Sequence, residues 1–401
     1  MSAHNSAKKT SLDSTVVTHL PTVSVDAVDA HQHADVALSL EQPEQLKAWI
    51  KAQALALGFA DCVIARPDSQ AELERFKLYL ARGYHGDMKY LEENLDKRAD
   101  PTLLVPGTRS IICVRMDYLV ESPKPRHIPY APNNAIIARY ARGRDYHKTM
   151  RGRLKTLGNL IKAKVGDFES RPFADSAPIF EKSLAENAGM GWTGKHTLLI
   201  HKKSGSFFVL GELFTSLDLP FDSPASSHCG SCSACIDICP TQAIVEPYML
   251  DARKCIAYLT IEFKGIIPIE YRQAIGNRIF GCDDCQLICP WNRFAKKTTI
   301  EDFYPRHQLD QVTLLDLWAW DEETFLERTQ GSPIRRTGFQ SFMRNIAIGL
   351  GNAPYAEQIV VALQQALHQH DEIVNEHIEW ALQQQLQKSQ ARISLIDTQQ
   401  I

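Results

Sequence analysis

The stretch Cys229-Gly-Ser-Cys-Ser-Ala-Cys-Ile-Asp-Ile-Cys-Pro240 decides how the rest of this 401-residue sequence is interpreted. It carries three cysteines, each separated by two residues, then a fourth after three more residues and directly before a proline. Three thiolates on one tight loop can surround one corner of an iron–sulfur cubane. The fourth thiolate, at the start of the next helix, points away from that cubane. The spacing therefore predicts an electron-transfer site.

A second, shorter motif follows as Cys282-x2-Cys285-x3-Cys289-Pro290, and Cys255 lies between the two motifs. In two-cluster bacterial ferredoxins the cysteine before the proline ligates the other cluster. Two [4Fe–4S] clusters need eight thiolates, and this region offers eight. We predict that one cluster is held by Cys229, Cys232, Cys235 and Cys289. The other is then held by Cys239, Cys255, Cys282 and Cys285.

Two alternatives exist for this cysteine density. A disulfide scaffold is disfavoured, because a chain of this length can bury its own core and carries no export signal. A pair of zinc sites also uses Cys-x2-Cys pairs, but zinc does not explain the crossed fourth cysteine or the two Cys-Pro steps. The remaining cysteines, Cys62 and Cys113, lie in apolar runs and are expected to be buried core thiols.

Composition narrows the class of protein. The chain is 44% hydrophobic and 23% charged, with a net charge of −3, which excludes a generally basic nucleic-acid coat. No apolar run approaches the roughly 18 residues of a membrane span. The N-terminus lacks a charged-then-apolar signal, so we expect a cytoplasmic protein. Residues 1–40 show no sustained periodicity and are expected to form a flexible extension.

Periodicity predicts the remaining organisation. Helices alternate with strands up to about residue 220, for example a short strand at 62–64 and an amphipathic helix at 145–165, which indicates an α/β domain over 41–222. The cysteine region then occupies 223–300. Helical patterns at 340–352, 357–369 and 372–387 predict stacked antiparallel helices within 301–401, similar to HEAT repeats.

A basic stretch runs from Lys124 to Lys164 and contains one acid, Asp145. Such a local excess on a near-neutral chain favours a polyanionic partner, and Arg335, Arg336 and Arg344 would extend it. The alternative is a solvated helix face. Asp145 is a salt-bridge partner, a helix N-cap or a general acid, and the sequence leaves these three roles open.

Gly189-Met-Gly-Trp-Thr-Gly-Lys195 matches the first seven positions of a phosphate-binding P-loop. The eighth position is His196 instead of the Ser or Thr that holds Mg²⁺, so we reject ATP hydrolysis. The glycines still allow close backbone approach to another ligand, and a purely structural turn is the alternative.

Taken together, these segments resemble the epoxyqueuosine reductases, cobalamin-dependent iron–sulfur enzymes that complete queuosine synthesis in tRNA. The resemblance covers about residues 42–356. It departs at the N-terminal extension and at Asn187, where relatives often carry a basic residue. The segments that carry it are Tyr140–His147, Ala185–Lys195, Cys229–Ile244, Cys255–Glu262 and Gly276–Asn292.

The resemblance implies a nitroreductase-like α/β cobalamin domain, a ferredoxin-like insert and C-terminal HEAT-like helices. It also implies the reaction, in which two electrons and two protons remove the epoxide oxygen of epoxyqueuosine as water at the tRNA wobble position. Asp145 occupies the position of the proposed proton donor. The resemblance implies further that four residues contact the cobalamin: Trp192, Lys195, Asp283 and Asp284.

The same resemblance implies the anticodon arm of tRNA and a low-potential electron donor as partners, and we expect a monomer. Two other functions remain open at this point. One is a corrinoid reductase acting on a small molecule, which would not need the basic stretch. The other is an electron carrier or RNA-binding protein without a catalytic site, which would need neither a corrin nor the acid at position 145.

Overall fold

The computed structural model of the chain describes residues 42–121 and 131–398. A four-stranded sheet forms the first part of this structure, with strand order β1-β2-β7-β4 and antiparallel pairing throughout. Short two-stranded ladders complete the strand set. The strands are β1 Asp61–Ala65, β2 Ser110–Asp117, β3 Ile136–Ile137, β4 Ser170–Phe173, β5 Trp192–Thr193, β6 Leu199–Ile200, β7 Phe208–Thr215, β8 Ile244–Glu246, β9 Met249–Leu250 and β10 Arg278–Phe280.

The helices cover the sheet and build the C-terminal part. They are α1 Pro43–Ala56, α2 Gln70–Ala81, α3 Leu95–Ala99, α4 Tyr146–Val165, α5 Glu181–Asn187, α6 Ala234–Asp237, α7 Ile256–Ile261, α8 Ile269–Ile275, α9 Asp284–Leu287, α10 Leu314–Trp318, α11 Glu322–Arg328, α12 Phe339–Asn352, α13 Glu357–Ala366 and α14 Glu372–Thr398. No helix in the described ranges is long and apolar enough to cross a membrane.

Helices α1 and α4 pack together with the four-stranded sheet, and α5 also contacts its central strands. Helix α4 forms because apolar residues recur every three or four positions, so that Met150, Leu154 and Ile161 share one buried face. It ends at Gly166, whose φ of 87° is readily adopted only by glycine. The apolar faces of α1 and α4 join the sheet in one hydrophobic core.

The cysteine region and the C-terminal helices share a second core, which extends from Ala135 to Ala381. Arg344 of α12 links the C-terminal helices to the cysteine region. Its buried guanidinium donates to the backbone oxygens of Leu259, Phe263 and Gly265. The helices of the C-terminal part therefore support the cysteine region directly.

Most of the elements predicted from periodicity are present, including the strand at 62–64 and the helix at 145–165. The three predicted C-terminal helices correspond to α12, α13 and α14. One expectation is wrong: Arg344 is fully buried and does not extend the basic surface. Residues 1–40, and the basic residues Lys124 and Arg126, lie outside the described residues.

Candidate redox and acid site

The structure brings Cys229, Cys232, Cys235 and Cys289 together around a small cavity of about 70 Å³. We name these four residues the first cysteine group. Cys232 is exposed, Cys229 is half-buried, and Cys235 and Cys289 are buried. Burial, together with the neighbouring thiols Cys289 and Cys229, raises the pKa of Cys235 to about 11. Such thiols become ligands only when a metal displaces their protons.

The second cysteine group comprises Cys239, Cys255, Cys282 and Cys285, all half-buried. Burial raises the pKa of Cys285 well above its usual value, and Cys282, Cys255, Cys235 and Cys239 raise it further. Since Cys235 belongs to the first group, the two groups are neighbours. The backbone N–H of Ala243 donates to the sulfur of Cys239 at 3.2 Å, a contact of the kind that tunes cluster potentials.

The two motifs have the same backbone at an offset of fifty positions. The residue before α6, Ser233, has φ −119° and ψ 4°, and the residue before α9, Asp283, has φ −108° and ψ 5°. The next cysteine of each motif, Cys235 and Cys285, lies within a four-residue helix. At this offset Ile279 stands where Cys229 stands in the first motif, which explains why the second motif needs Cys255.

Each cysteine group offers four thiols, the number of donors that a [4Fe–4S] cluster requires. Within residues 42–121 and 131–398, no three His, Cys, Asp or Glu side chains are close enough to ligate one metal ion. A tetrahedral zinc site would need four sulfurs at about 2.3 Å from one point. The thiols of the first group instead line a cavity with apolar walls that include Ile200 and Trp291.

Trp192 and Lys195 lie beside the first cysteine group. The Trp192 ring is buried and packs edge-on against His228 and Trp291, both at 5.0 Å between ring centroids. Lys195 Nζ donates to the backbone oxygens of Gly230 at 2.8 Å and Cys232 at 2.9 Å. The glycine-rich turn therefore holds the loop of the first cysteine group in place.

A larger cavity of about 360 Å³ lies between strand β7 and the second cysteine group. Cys282 and Asp283 line it from one side, and Phe208 and Leu210 of β7 line it from the other. Asp283 is buried and accepts from the backbone N–H of Arg139 at 2.9 Å and from its guanidinium at 3.1 Å. Neither Trp192 nor Lys195 is among the residues that line this cavity.

Asp284, the fourth predicted cofactor contact, is not among the residues that line the larger cavity and pairs with Arg278. Its carboxylate accepts from the Arg278 guanidinium at 2.6 Å, and both side chains are mostly buried. The charges of Asp284 and Cys282 both favour the charged form of Arg278. Asp284 thus holds a cation beside the second cysteine group.

Asp145 is the N-cap of α4. Its Oδ1 accepts from the backbone N–H of His147 at 3.0 Å and from the His147 ring Nδ1 at 2.5 Å. Partial burial would raise the pKa of Asp145, but the hydrogen bonds from His147 outweigh it and lower the pKa. The cap and ion-pair roles are therefore both realised here, and in this arrangement Asp145 is ionised and does not line the larger cavity.

Four residues of this region, Tyr146, His147, Asp175 and Glu181, were not among the site residues predicted from the sequence. His147 Nε2 lies 3.5 Å from Asp175 Oδ2, and Tyr146 donates to the same oxygen at 2.7 Å. Asp175, Tyr146 and Glu181 line the larger cavity. Tyr146 and His147 follow Asp145 directly in the sequence, so their position could have indicated a role. Asp175 carries no such indication, because His147 and Tyr146 approach it only in the folded chain.

Helix α4 presents a basic face to the outside. Arg144, which precedes the helix, and Lys148, Arg151, Lys155 and Lys162 are all exposed. Arg153 is different, because its guanidinium is half-buried and donates to the backbone oxygen of Leu57 at 2.7 Å. The exposed set begins one residue before Asp145.

Comparison with known proteins identifies two matched segments. Residues 98–176 match the family described as "Epoxyqueuosine reductase QueG, DUF1730". Residues 228–292 match the family described as "4Fe-4S double cluster binding domain". A curated relative from Pseudomonas aeruginosa, named epoxyqueuosine reductase, is 51% identical over 347 residues, which cover 86% of this chain and 96% of the relative.

Two solved structures of epoxyqueuosine reductases also match this chain. Epoxyqueuosine reductase from Bacillus subtilis, with its catalytic aspartate loop swung out of the active site, matches with a TM-score of 0.76 and 28% identity, over 85% of this chain and 90% of that chain. An epoxyqueuosine reductase bound to an epoxyqueuosine-modified tRNA stem loop matches with a TM-score of 0.73 and 26% identity, over 85% of this chain and 99% of that chain. The chain belongs to the epoxyqueuosine reductase family.

Proposed function

We propose that this protein reduces epoxyqueuosine to queuosine at the wobble position of tRNA, the last step of queuosine biosynthesis. The observation that carries this function is Cys282, which belongs to the second cysteine group and also lines the larger cavity. That position puts a redox-cluster ligand on the wall of the substrate site. The solved relative with a modified tRNA stem loop supports tRNA as the substrate.

The cofactors are two [4Fe–4S] clusters and cobalamin. The first and second cysteine groups would each hold one cluster, and the larger cavity would hold the reactive side of the corrin. When bound, these groups supply single low-potential electrons and the electron-rich cobalt that epoxide opening requires. Asp283 lines this cavity and is retained as a cofactor contact. Trp192, Lys195 and Asp284 would support the cysteine groups.

The division of the chain follows from these positions. Residues 41–222 would form the nitroreductase-like cobalamin domain, 223–300 the ferredoxin-like domain and 301–401 the HEAT-like helices, after the extension at 1–40. The four-stranded sheet with helices, the duplicated cysteine motif and the packed helices α12, α13 and α14 support this division. A low-potential electron donor, a monomeric state and a cytoplasmic location complete the proposal.

Asp145 would donate the proton that the epoxide oxygen needs when its carbon–oxygen bond opens. In the described arrangement the proton is held by His147, whose pKa is raised to about 9 by its hydrogen bonds to Asp145 and Asp175. Delivery therefore needs Asp145 to leave its cap position and reach the cavity. The Bacillus subtilis structure with a displaced aspartate loop supports such a movement.

The test of this role is the Asp145→Asn variant, because asparagine keeps an N-cap but carries no acidic proton. We expect queuosine formation to fall by about 10²- to 10⁴-fold, the usual contribution of a general acid. Nucleoside analysis of epoxyqueuosine-containing tRNA, incubated with cobalamin and a low-potential reductant, measures it. Corrin and tRNA binding should persist, and full activity of the variant would remove Asp145 from the mechanism.

The basic face of α4 would bind the anticodon arm, since phosphate contacts supply most of the affinity of such surfaces. Reversing Arg151 and Lys155 to Glu should weaken tRNA binding strongly at low salt and less at high salt. Arg153 is unsuitable for this test because it supports the backbone of Leu57. Unchanged affinity, measured by filter binding over a salt series, would place the tRNA surface elsewhere.

A further inference from the structure

Removal of the epoxide oxygen as water consumes two protons, and Asp145 accounts for one. His147 lies between two carboxylates, with Nδ1 2.5 Å from Asp145 Oδ1 and Nε2 3.5 Å from Asp175 Oδ2. A protonated imidazole has one N–H on each ring nitrogen. One histidine is therefore positioned to serve both acids.

The backbone and side chain of Asp175 are fixed in position by the surrounding structure. Its φ is 54°, in the left-handed region, which non-glycine residues adopt rarely and mostly where surrounding structure enforces it. Its backbone N–H donates to Glu181 Oε1 at 2.5 Å, and its carboxylate accepts from the Tyr146 hydroxyl. The carboxylate itself is half-exposed on the wall of the larger cavity.

We propose that Asp175 is a second catalytic acid, which donates the other proton of the reaction, and that His147 recharges both Asp175 and Asp145. This inference rests on the proposed function. In the first transfer, the Asp145 carboxylate receives a proton from the Nδ1–H of His147, and this O–H bond breaks as an O–H bond forms on the epoxide oxygen and its first carbon–oxygen bond opens. In the second, the Asp175 carboxylate receives a proton from the Nε2–H of His147 and passes it to the resulting hydroxyl, whose carbon–oxygen bond breaks so that it leaves as water, while the cofactors supply both electrons.

Before and after each transfer the carboxylate is ionised and the imidazole holds the proton. Solvent returns each donated proton to the imidazole. Tyr146 supports this exchange, because its ring stacks on the His147 ring at 4.3 Å between centroids and its hydroxyl is bound to Asp175. Asp175 thus has a donor on one side and the cavity on the other.

Several charged groups face this pair. On α4 and its cap they are Asp145 and Arg151, and on α5 Glu181, whose pKa burial raises to about 7. Behind Glu181 lies Glu212 of β7, which is fully buried and whose pKa is raised well above normal by burial and by the neighbouring Glu181. Burial would raise the pKa of Asp175, but its hydrogen bonds with His147 and Tyr146, together with the charge of Arg336 from the turn before α12, outweigh burial and lower the pKa.

The first test is a histidine NMR titration of the cofactor-free protein. The His147 imidazole should titrate near pH 9 in the wild type. It should titrate at lower pH in Asp175→Asn, because one of its two carboxylate partners has been neutralised. The matched control is Asp167→Asn, an exposed acid that pairs with Lys162 at the other end of the same helix. A wild-type value near 6.5, the ordinary value for histidine, would overturn the proposal.

The second test is single-turnover queuosine formation over a pH series. We expect Asp175→Asn to lower the rate by about 10²-fold with unchanged tRNA affinity, and its alkaline decline to begin at lower pH than in the wild type. Asp175→Glu should restore part of the rate, and His147→Gln should lose it. Asp167→Asn should match the wild type.

A rate for Asp175→Asn within about twofold of the wild type, with the same pH profile, would contradict the second-acid role. If Asp175→Asn does not fold, Asp175→Glu and His147→Gln still decide the question by their pH profiles. Failure of the wild type to form queuosine would instead reject the proposed function, while the NMR titration would still report on the three-residue contact.

Discussion

The first and second cysteine groups share one local backbone but lie in different surroundings. In the first motif, Ser231, Cys232 and Ser233 are all exposed. At the equivalent positions of the second motif, Gly281 and Asp283 are buried and Cys282 is half-buried against the larger cavity. The same thiol spacing thus occurs once at the surface and once beside the larger cavity.

This difference indicates a division of labour. An exposed loop is accessible to an electron donor, whereas a group on the cavity wall is accessible to the substrate side. Local sequence determines the turn, but contacts from distant parts of the chain determine its surroundings. Ser233 donates to Asp237, four residues further on, whereas its counterpart Asp283 is held by Arg139 of the α/β part.

The largest expected effect distinguishes the two cysteine groups. It is measured by comparing the Cys285→Ser variant of the second group with the Cys232→Ser variant of the first group. We expect Cys285→Ser to abolish queuosine formation and to lower bound iron from about eight to about four per chain. Cys232→Ser should retain more activity than Cys285→Ser when a small-molecule reductant is supplied, because the first cysteine group lies nearer the protein surface and does not line the larger cavity. Iron analysis and nucleoside analysis of anaerobic preparations measure both effects. Equal losses of activity in the two variants would remove the proposed division of labour.

A smaller effect is expected from Lys195→Ala. The Lys195 ammonium donates to two backbone oxygens of the first cysteine loop, and each hydrogen bond contributes about 1 kcal/mol. Losing them should speed chelator removal of the first iron set by on the order of tenfold and leave the second set unchanged. The control is Lys202→Ala, an exposed lysine on a nearby turn. Identical release kinetics in the two variants would show that Lys195 does not hold the loop.

Features that depend on local spacing could be predicted from the sequence. The grouping of the cysteines follows from two motifs whose turns are local, and α4 follows from its apolar periodicity and from Asp145 as cap. The stacked C-terminal helices were also predictable from periodicity. Within α4 and within each cysteine turn, neighbours in the sequence are also neighbours in space, whereas Cys289 joins the first group from the other motif.

Features that depend on distant contacts could not be predicted. The contacts of Trp192 with His228 and Trp291 depend on how the glycine-rich turn meets the cysteine loop. Arg344 looks like a surface cation in the sequence but binds backbone oxygens of the cysteine region. Asp175 has no motif, and only the fold places it beside His147.

The central claim is that two thiolate-bound clusters lie in series beside a corrin site where tRNA is deoxygenated. The most direct measurement counts iron and cobalt in an anaerobic preparation and follows conversion of epoxyqueuosine-containing tRNA with and without cobalamin. The account predicts about eight irons per chain and queuosine only when cobalamin is present. Full-rate queuosine formation by a cobalt-free preparation would contradict it.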